Sequence, residues 1–157
     1  MFSVSHTPGA TLVAVGHGVR LGVDAQALAE VTDLVLVAEE VFSHAELQGL
    51  RCADAAEQLR RFFATWARKE ALLKAWGIGL VDRPRAWNTG TSPDPGRWWA
   101  AHDGVPVAGW TLLDLEIGPA WAAALAVQLP DVSIVLRDAR TACGPALCSS
   151  SIPSESN

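Results

Sequence analysis

Phe63-Ala64-Thr65-Trp66-Ala67-Arg68-Lys69-Glu70-Ala71-Leu72-Leu73-Lys74-Ala75-Trp76-Gly77-Ile78-Gly79-Leu80 is the stretch whose reading decides the fold. Continued back towards Asp54, its apolar stripe runs Leu59, Phe63, Trp66, Leu73, a helical rhythm of four, three and seven residues. Ala, Leu, Arg, Lys and Glu fill most other positions, and all are good helix formers. Gly77 and Gly79 end the pattern, glycine being the residue that most readily takes the left-handed conformation of a helix C-terminus. A long helix over roughly 54–76 is expected, with Asp54 as N-cap and Glu57 completing a capping box.

Glu70 falls on the apolar stripe. A carboxylate there must lose its charge, find a partner or hold a metal, because an unpaired buried charge is prohibitive. Lys74, four residues on, offers an ordinary helix ion pair worth a few tenths of a kcal/mol. Lys69 and Lys74 flank the stripe on opposite sides, and carboxylate oxygens between two ammonium groups also suit Mg²⁺ with a pyrophosphate. The residues alone leave both readings open.

Working outward, the chain from Leu28 to Trp76 has one glycine and no proline, so it reads as mostly helical with breaks near Ser43 and Gly49. Before it, Phe2–Ser5, Thr11–Val15 and Leu21–Ala25 are short β-prone runs separated by turn residues, and an antiparallel meander is their simplest account. Strand alternation places Gly22, Asp24 and Gln26 on one face, so Asp24 and Gln26 can reach one ligand together. His6, ahead of the Thr7-Pro8-Gly9 turn, can donate to a phosphate or simply cap the turn.

After the helix, Val81 to Gly104 reads as a long Pro, Gly and Trp-rich loop. Strands are expected at Trp110–Glu116 and Ala120–Gln128, joined by Ile117-Gly118-Pro119, with Ser133–Leu136 pairing at the edge. The fold class is α+β, a small antiparallel sheet packed on a long helix. Residues 1–140 form the domain, and 141–157, rich in Ser and Pro, are expected to be a disordered tail.

Composition bounds the function. A net charge of −5 supplies no basic stripe for nucleic acid. No run is long enough for a membrane span, and Phe2-Ser3-Val4-Ser5-His6 has neither the cationic nor the long apolar stretch of a leader, so a cytoplasmic protein is expected. Three cysteines without metal spacing read as free thiols.

Four separated stretches together resemble the 4′-phosphopantetheinyl transferase superfamily, in its larger, surfactin-synthetase-activating type. Phe2-Ser3-Val4-Ser5-His6-Thr7 is similar to that family's F-N-x-S-H-S, Gly22-Val23-Asp24-Ala25-Gln26 to its G-[IV]-D-x-E, and Phe42-Ser43-His44-Ala45-Glu46 to its F-[ST]-x-x-E. Trp66 to Leu80 follows its W-x-x-K-E-A-x-x-K-x-x-G-x-G-L, the most specific of the four, and Ala120 to Val127 resembles its closing small-residue strand.

The resemblance implies one half, the carboxy-terminal one, of a two-fold pseudo-symmetric fold. It implies transfer of 4′-phosphopantetheine from coenzyme A to a serine of an acyl or peptidyl carrier protein, with Mg²⁺. Asp24, Gln26 and Glu70 would then hold the metal, His6 and Lys74 the phosphates. Glu70, Lys69 and Glu46 are the candidate catalytic groups, Lys69 stabilising negative charge and Glu46 standing as the weaker candidate base. Gln26 stands where the family has glutamate, which removes a negative charge but leaves a carbonyl oxygen. The site of such a half would be completed by self-association or by a separate amino-terminal half, across an exposed apolar face. The competing expectation is a non-catalytic remnant or a carrier-protein interaction module of the same fold.

Overall fold

The protein is represented by a computed structural model that describes residues 1–78, 83–92, 94 and 96–139. Gly79, Leu80 and the expected tail, with Cys143 and Cys148, lie outside the described residues.

The long helix forms as expected. α3 spans Ala55–Trp76, opens on Asp54, whose side chain accepts from Glu57 N, and closes on Gly77 at φ 76°. Glu57 does not complete a box, because its carboxylate pairs instead with Arg61 one turn on, at 2.7 Å. The full capping box belongs to Ser43 and Glu46, at the start of α2 (His44–Arg51). α1 covers Leu34–Val41, so the break at Ser43 is found while the stretch before Leu34 is not helical.

The expected break at Gly49 is absent, and Gly49 lies inside α2. A methyl group there would come within 2.3 Å of Thr91 Oγ1, so glycine serves close packing at this position and not chain reversal. The chain turns a few residues later, between Cys52 and Asp54.

The expected three-stranded meander is also corrected. β1 (Phe2–Thr7) and β2 (Ala10–Val15) form a two-stranded hairpin, while β3 (Leu21–Ala27) joins a different sheet. There it pairs along its whole length with β9 (Trp121–Val127), Asp24 opposite Ala124 and Gln26 opposite Ala122. β9 continues to β8 (Thr111–Asp114), as the sequence indicated, and β8 to β5 (Arg97–Trp98). The expected loop after the helix holds β4 (Trp87–Asn88) and β6 (Ala101–His102), which form a small sheet with β7 (Val105–Pro106) just beyond it. Ser133–Leu136 forms no strand.

What fastens the hairpin to β3 is a row of side-chain hydroxyls. Ser3, Ser5 and Thr7 alternate along β1, and their oxygens accept from Val23 N, Ala25 N and Ala27 N at 3.1, 3.1 and 2.9 Å. These donors form the edge of β3 away from β9, and the hydroxyls satisfy them where another strand's carbonyls would. The opposite face of the hairpin, with Phe2, Val4, Val13 and Val15, is exposed and apolar.

α3 lies against the sheet through small residues. Ala67, Ala71 and Ala75 pack on Ala124 and Ala126. Gly22, opposite Ala126, lets the backbones approach closely, since a Cβ there would sit 2.1 Å from Ala71 O and 2.6 Å from Ala75 N. That approach brings the face of β3 bearing Asp24 against the helix turn bearing Glu70 and Lys74. The stripe of Leu59, Phe63 and Trp66 turns the other way and packs on Phe42, Leu47 and Leu50 beneath α1 and α2.

Candidate active site

Asp24 is the centre of the constellation. It is 2% exposed, and three donors converge on its carboxylate. Lys74 Nζ lies 2.6 Å from Oδ1, Ser5 Oγ donates to the same oxygen at 2.8 Å, and Gln26 Nε2 donates to Oδ2 at 2.7 Å. Lys74 also donates to Val23 O at 3.2 Å, which seats the ammonium over the strand. The Lys74–Asp24 pair spans 50 residues of sequence. The direct bond of Lys74 thus goes to Asp24, while its charge still acts on Glu70, the helix partner that spacing alone offered.

Glu70 is half-buried beside this group. Burial first, and then the charge of Asp24, raise its carboxyl pKa above the ordinary value, while Lys74 pulls in the opposite direction. Two carboxylates thus share one lysine, leaving an excess of negative charge in a partly desolvated place. Among the described residues no three His, Cys, Asp or Glu side chains come together, and the third polar group beside Asp24 and Glu70 is the amide of Gln26. Two carboxylates are nonetheless hard-oxygen donors of the kind that hold Mg²⁺ together with a substrate's phosphates.

Glu46 and Lys69 are not part of this cluster. Lys69 Nζ lies 2.8 Å from Glu46 Oε2, and the two side chains are 1% exposed or less. Lys69 also donates to Pro84 O at 3.0 Å and to Trp87 O. Glu46 accepts from Ser43 N, and from both N and Oγ1 of Thr89. Burial lowers the pKa of Lys69, and Glu46 works against that lowering by charge and hydrogen bond.

One residue earlier, Arg68 grips Asp114 through Nε and Nη2 at 2.8 and 2.7 Å, takes Ser92 O, and lies over the ring of Trp98. Adjacent helix residues thus do different work. Arg68 and Lys69 strap the segment that follows the helix, and Glu70 faces Asp24. Sequence reading missed Ser5, Arg68 and Asp114. Alternation of hydroxyls along β1 was the available signal for Ser5, and nothing local pointed to Arg68 or Asp114.

His6 is exposed and on the face of β1 away from Ser5, so within this chain it does not meet Asp24. It shares that face with Phe2 and Val4. Two clefts of the described surface leave out Asp24, Glu70 and Lys74: one beside Arg60, Glu116 and Trp121, the other under Leu12, Leu125 and Ile134. Within the constellation Asp24 is buried and the Lys74 side chain is about one-third exposed.

The fold is an α+β one in which a long helix is set against an antiparallel sheet, with two acids, Asp24 and Glu70, where helix and strand meet. The comparisons give it a family. The 4′-phosphopantetheinyl transferase superfamily matches residues 20–126, and the chain belongs to it. It is 30% identical over 127 residues to 4′-phosphopantetheinyl transferase HetI of Nostoc sp. (strain PCC 7120), covering 81% of this chain and 51% of that one. It is 29% identical over 79 residues to "Putative 4′-phosphopantetheinyl transferase slr0495" of Synechocystis sp. (strain PCC 6803), covering 50% of this chain and 32% of that one. The chain spans about half the length of the first of these relatives, or less of the second.

Proposed function

We propose that the chain takes part in moving 4′-phosphopantetheine from coenzyme A to a serine of an acyl or peptidyl carrier protein, with Mg²⁺ bound by Asp24 and Glu70. The observation that carries this reading is the Lys74–Asp24 pair that joins α3 to β3, with Glu70 half-buried within reach of both charges. When bound, Mg²⁺ would neutralise the pyrophosphate and the charge developing on it.

The chain's own residues supply the rest. Lys74, held by Asp24 and Val23 O, presents a positive charge to a phosphate without leaving its seat. Glu70, or a water held beside it, is the candidate to accept the serine proton. His6 would meet a coenzyme A phosphate reached round the open side of the hairpin. Lys69 and Glu46 act from behind, holding the helix turn from which Glu70 projects. Loading of the carrier is completed by a second surface, from another copy or from a separate half, laid against the apolar face of Phe2, Val4, Val13 and Val15.

The test is Mg²⁺-dependent transfer from a fluorescent coenzyme A to a purified carrier protein, followed over a range of chain concentrations. Transfer that is lost in Glu70→Ala supports the proposal. Its absence at every concentration, together with no coenzyme A binding, defeats it. A second reading, a carrier-protein interaction module without catalysis, is favoured by Gln26, which leaves the site one acid short. That version fails if coenzyme A binds in a Mg²⁺-dependent manner.

A further inference from the structure

The three donors on Asp24 are not alike. Ser5 Oγ is committed twice, donating to Asp24 and accepting from Ala25 N. Lys74 is also committed twice, to Asp24 and to Val23 O. The side chain of Gln26 makes one described hydrogen bond, from Nε2 to Asp24 Oδ2 at 2.7 Å. It reaches Oδ2 from two residues along the same strand face, at the half-buried end of β3.

The direction of that bond matters. A carboxylate accepts, so the amide must turn its NH₂ to Asp24, which carries the carbonyl oxygen away. The positive end of the amide dipole therefore occupies the oxygen that a divalent cation would need. Turning the amide over to offer the carbonyl would first set two oxygens against one another.

We propose that Gln26 is a gating residue of the Asp24–Glu70 site: its amide competes with a divalent cation for Asp24 Oδ2, and the cation binds only as that hydrogen bond opens. The consequence is a site that binds the cation weakly until the phosphates of a substrate bring further ligands. This inference rests on the reading of Asp24 and Glu70 as metal ligands.

The experiment is calorimetric titration of Mg²⁺, checked by Mn²⁺ electron paramagnetic resonance, on the wild-type chain, Gln26→Met and Gln26→Glu, with Asp24→Asn as the control for site occupancy. Met keeps the length and removes the NH₂ without adding charge. It should bind Mg²⁺ about threefold to tenfold more tightly than wild type, since a hydrogen bond to a charged acceptor no longer has to be surrendered. Gln26→Glu should bind more tightly still. If Gln26→Met binds as weakly as wild type, or more weakly, while Gln26→Glu binds well, the gating idea is overturned and the metal site stands. If none of the three binds a cation, the metal site itself falls and the gate with it. A second readout needs no variant: the side-chain NH₂ resonances of Gln26 should shift as Mg²⁺ saturates the wild-type chain. Unmoved resonances at saturation also overturn the proposal.

Discussion

Lys69 and Glu46 meet as an ion pair 2.8 Å apart inside the protein, one on the long helix and one on the short helix before it. Glu46 serves at the same time as the capping acid of α2 and the acceptor for Thr89, so one carboxylate ties a helix start, a helix middle and a later segment. Removing one partner leaves an uncompensated buried charge. Lys69→Met should lower stability by about 3–5 kcal/mol in urea unfolding. Adding Glu46→Leu should recover part of that loss. If the single substitution proves harmless, the pair is not the internal support inferred from its burial.

Gly22 has no space for a side chain, because a methyl group would press on the backbone of α3 at Ala71 and Ala75. Gly22→Ala should destabilise the fold by about 1–3 kcal/mol, as overpacking does. It should also move Lys74 away from Asp24. Mg²⁺ binding should weaken in parallel, and unchanged binding at lowered stability would show that the approach of helix and strand does not set the site's geometry.

Burial, then the charge of Asp24, hold the carboxyl of Glu70 above its usual pKa, against the weaker effect of Lys74. The folded chain thus keeps this proton more tightly than the unfolded chain does. Its contribution to stability is complete below the ordinary carboxylate pKa and is lost as pH rises through the raised value. Urea midpoints measured from the carboxylate range to neutrality should fall more in wild type than in Glu70→Gln. Saturating Mg²⁺ should reverse the loss at neutral pH by favouring the ionised form. An equal slope in both proteins would count against this account.

The hydroxyl row makes a graded prediction. Thr7→Val and Ser3→Ala each leave one β3 amide without its acceptor, and Ser5→Ala also takes a donor from Asp24. Losses should reach about 1–3 kcal/mol and be largest for Ser5→Ala. Hydrogen exchange at Val23, Ala25 and Ala27 should quicken in step, amide by amide. A uniform change across the three would point to general loosening of the hairpin.

Local chemistry was legible where it was self-contained. The apolar stripe, the Asp54 cap and the Gly77 stop define α3 within one continuous segment, and each signal acts over a single turn. Strand alternation likewise put Asp24 and Gln26 on one face. The lone carboxylate of Glu70 on an apolar stripe pointed to a cationic neighbour; Lys74 acts on it, but its hydrogen bond goes to Asp24, which spacing could not show.

What only the tertiary structure decided depends on groups far apart in sequence. Whether β3 pairs with β2 or β9 turns on which edge offers carbonyls and which offers hydroxyls, and no period of two records that. Gly49 reads as a break because glycine disfavours helices in isolation, yet Thr91 fills the space a side chain would need. Lys69 and Glu70 are neighbours in the chain, and the helix turns them to different surroundings, one to an internal carboxylate, the other to Asp24. By itself the sequence determined the helix and the residues that could bear charge on it. Packing of α3 on β3, made close by Gly22 and a line of alanines, decided which of those charges meet.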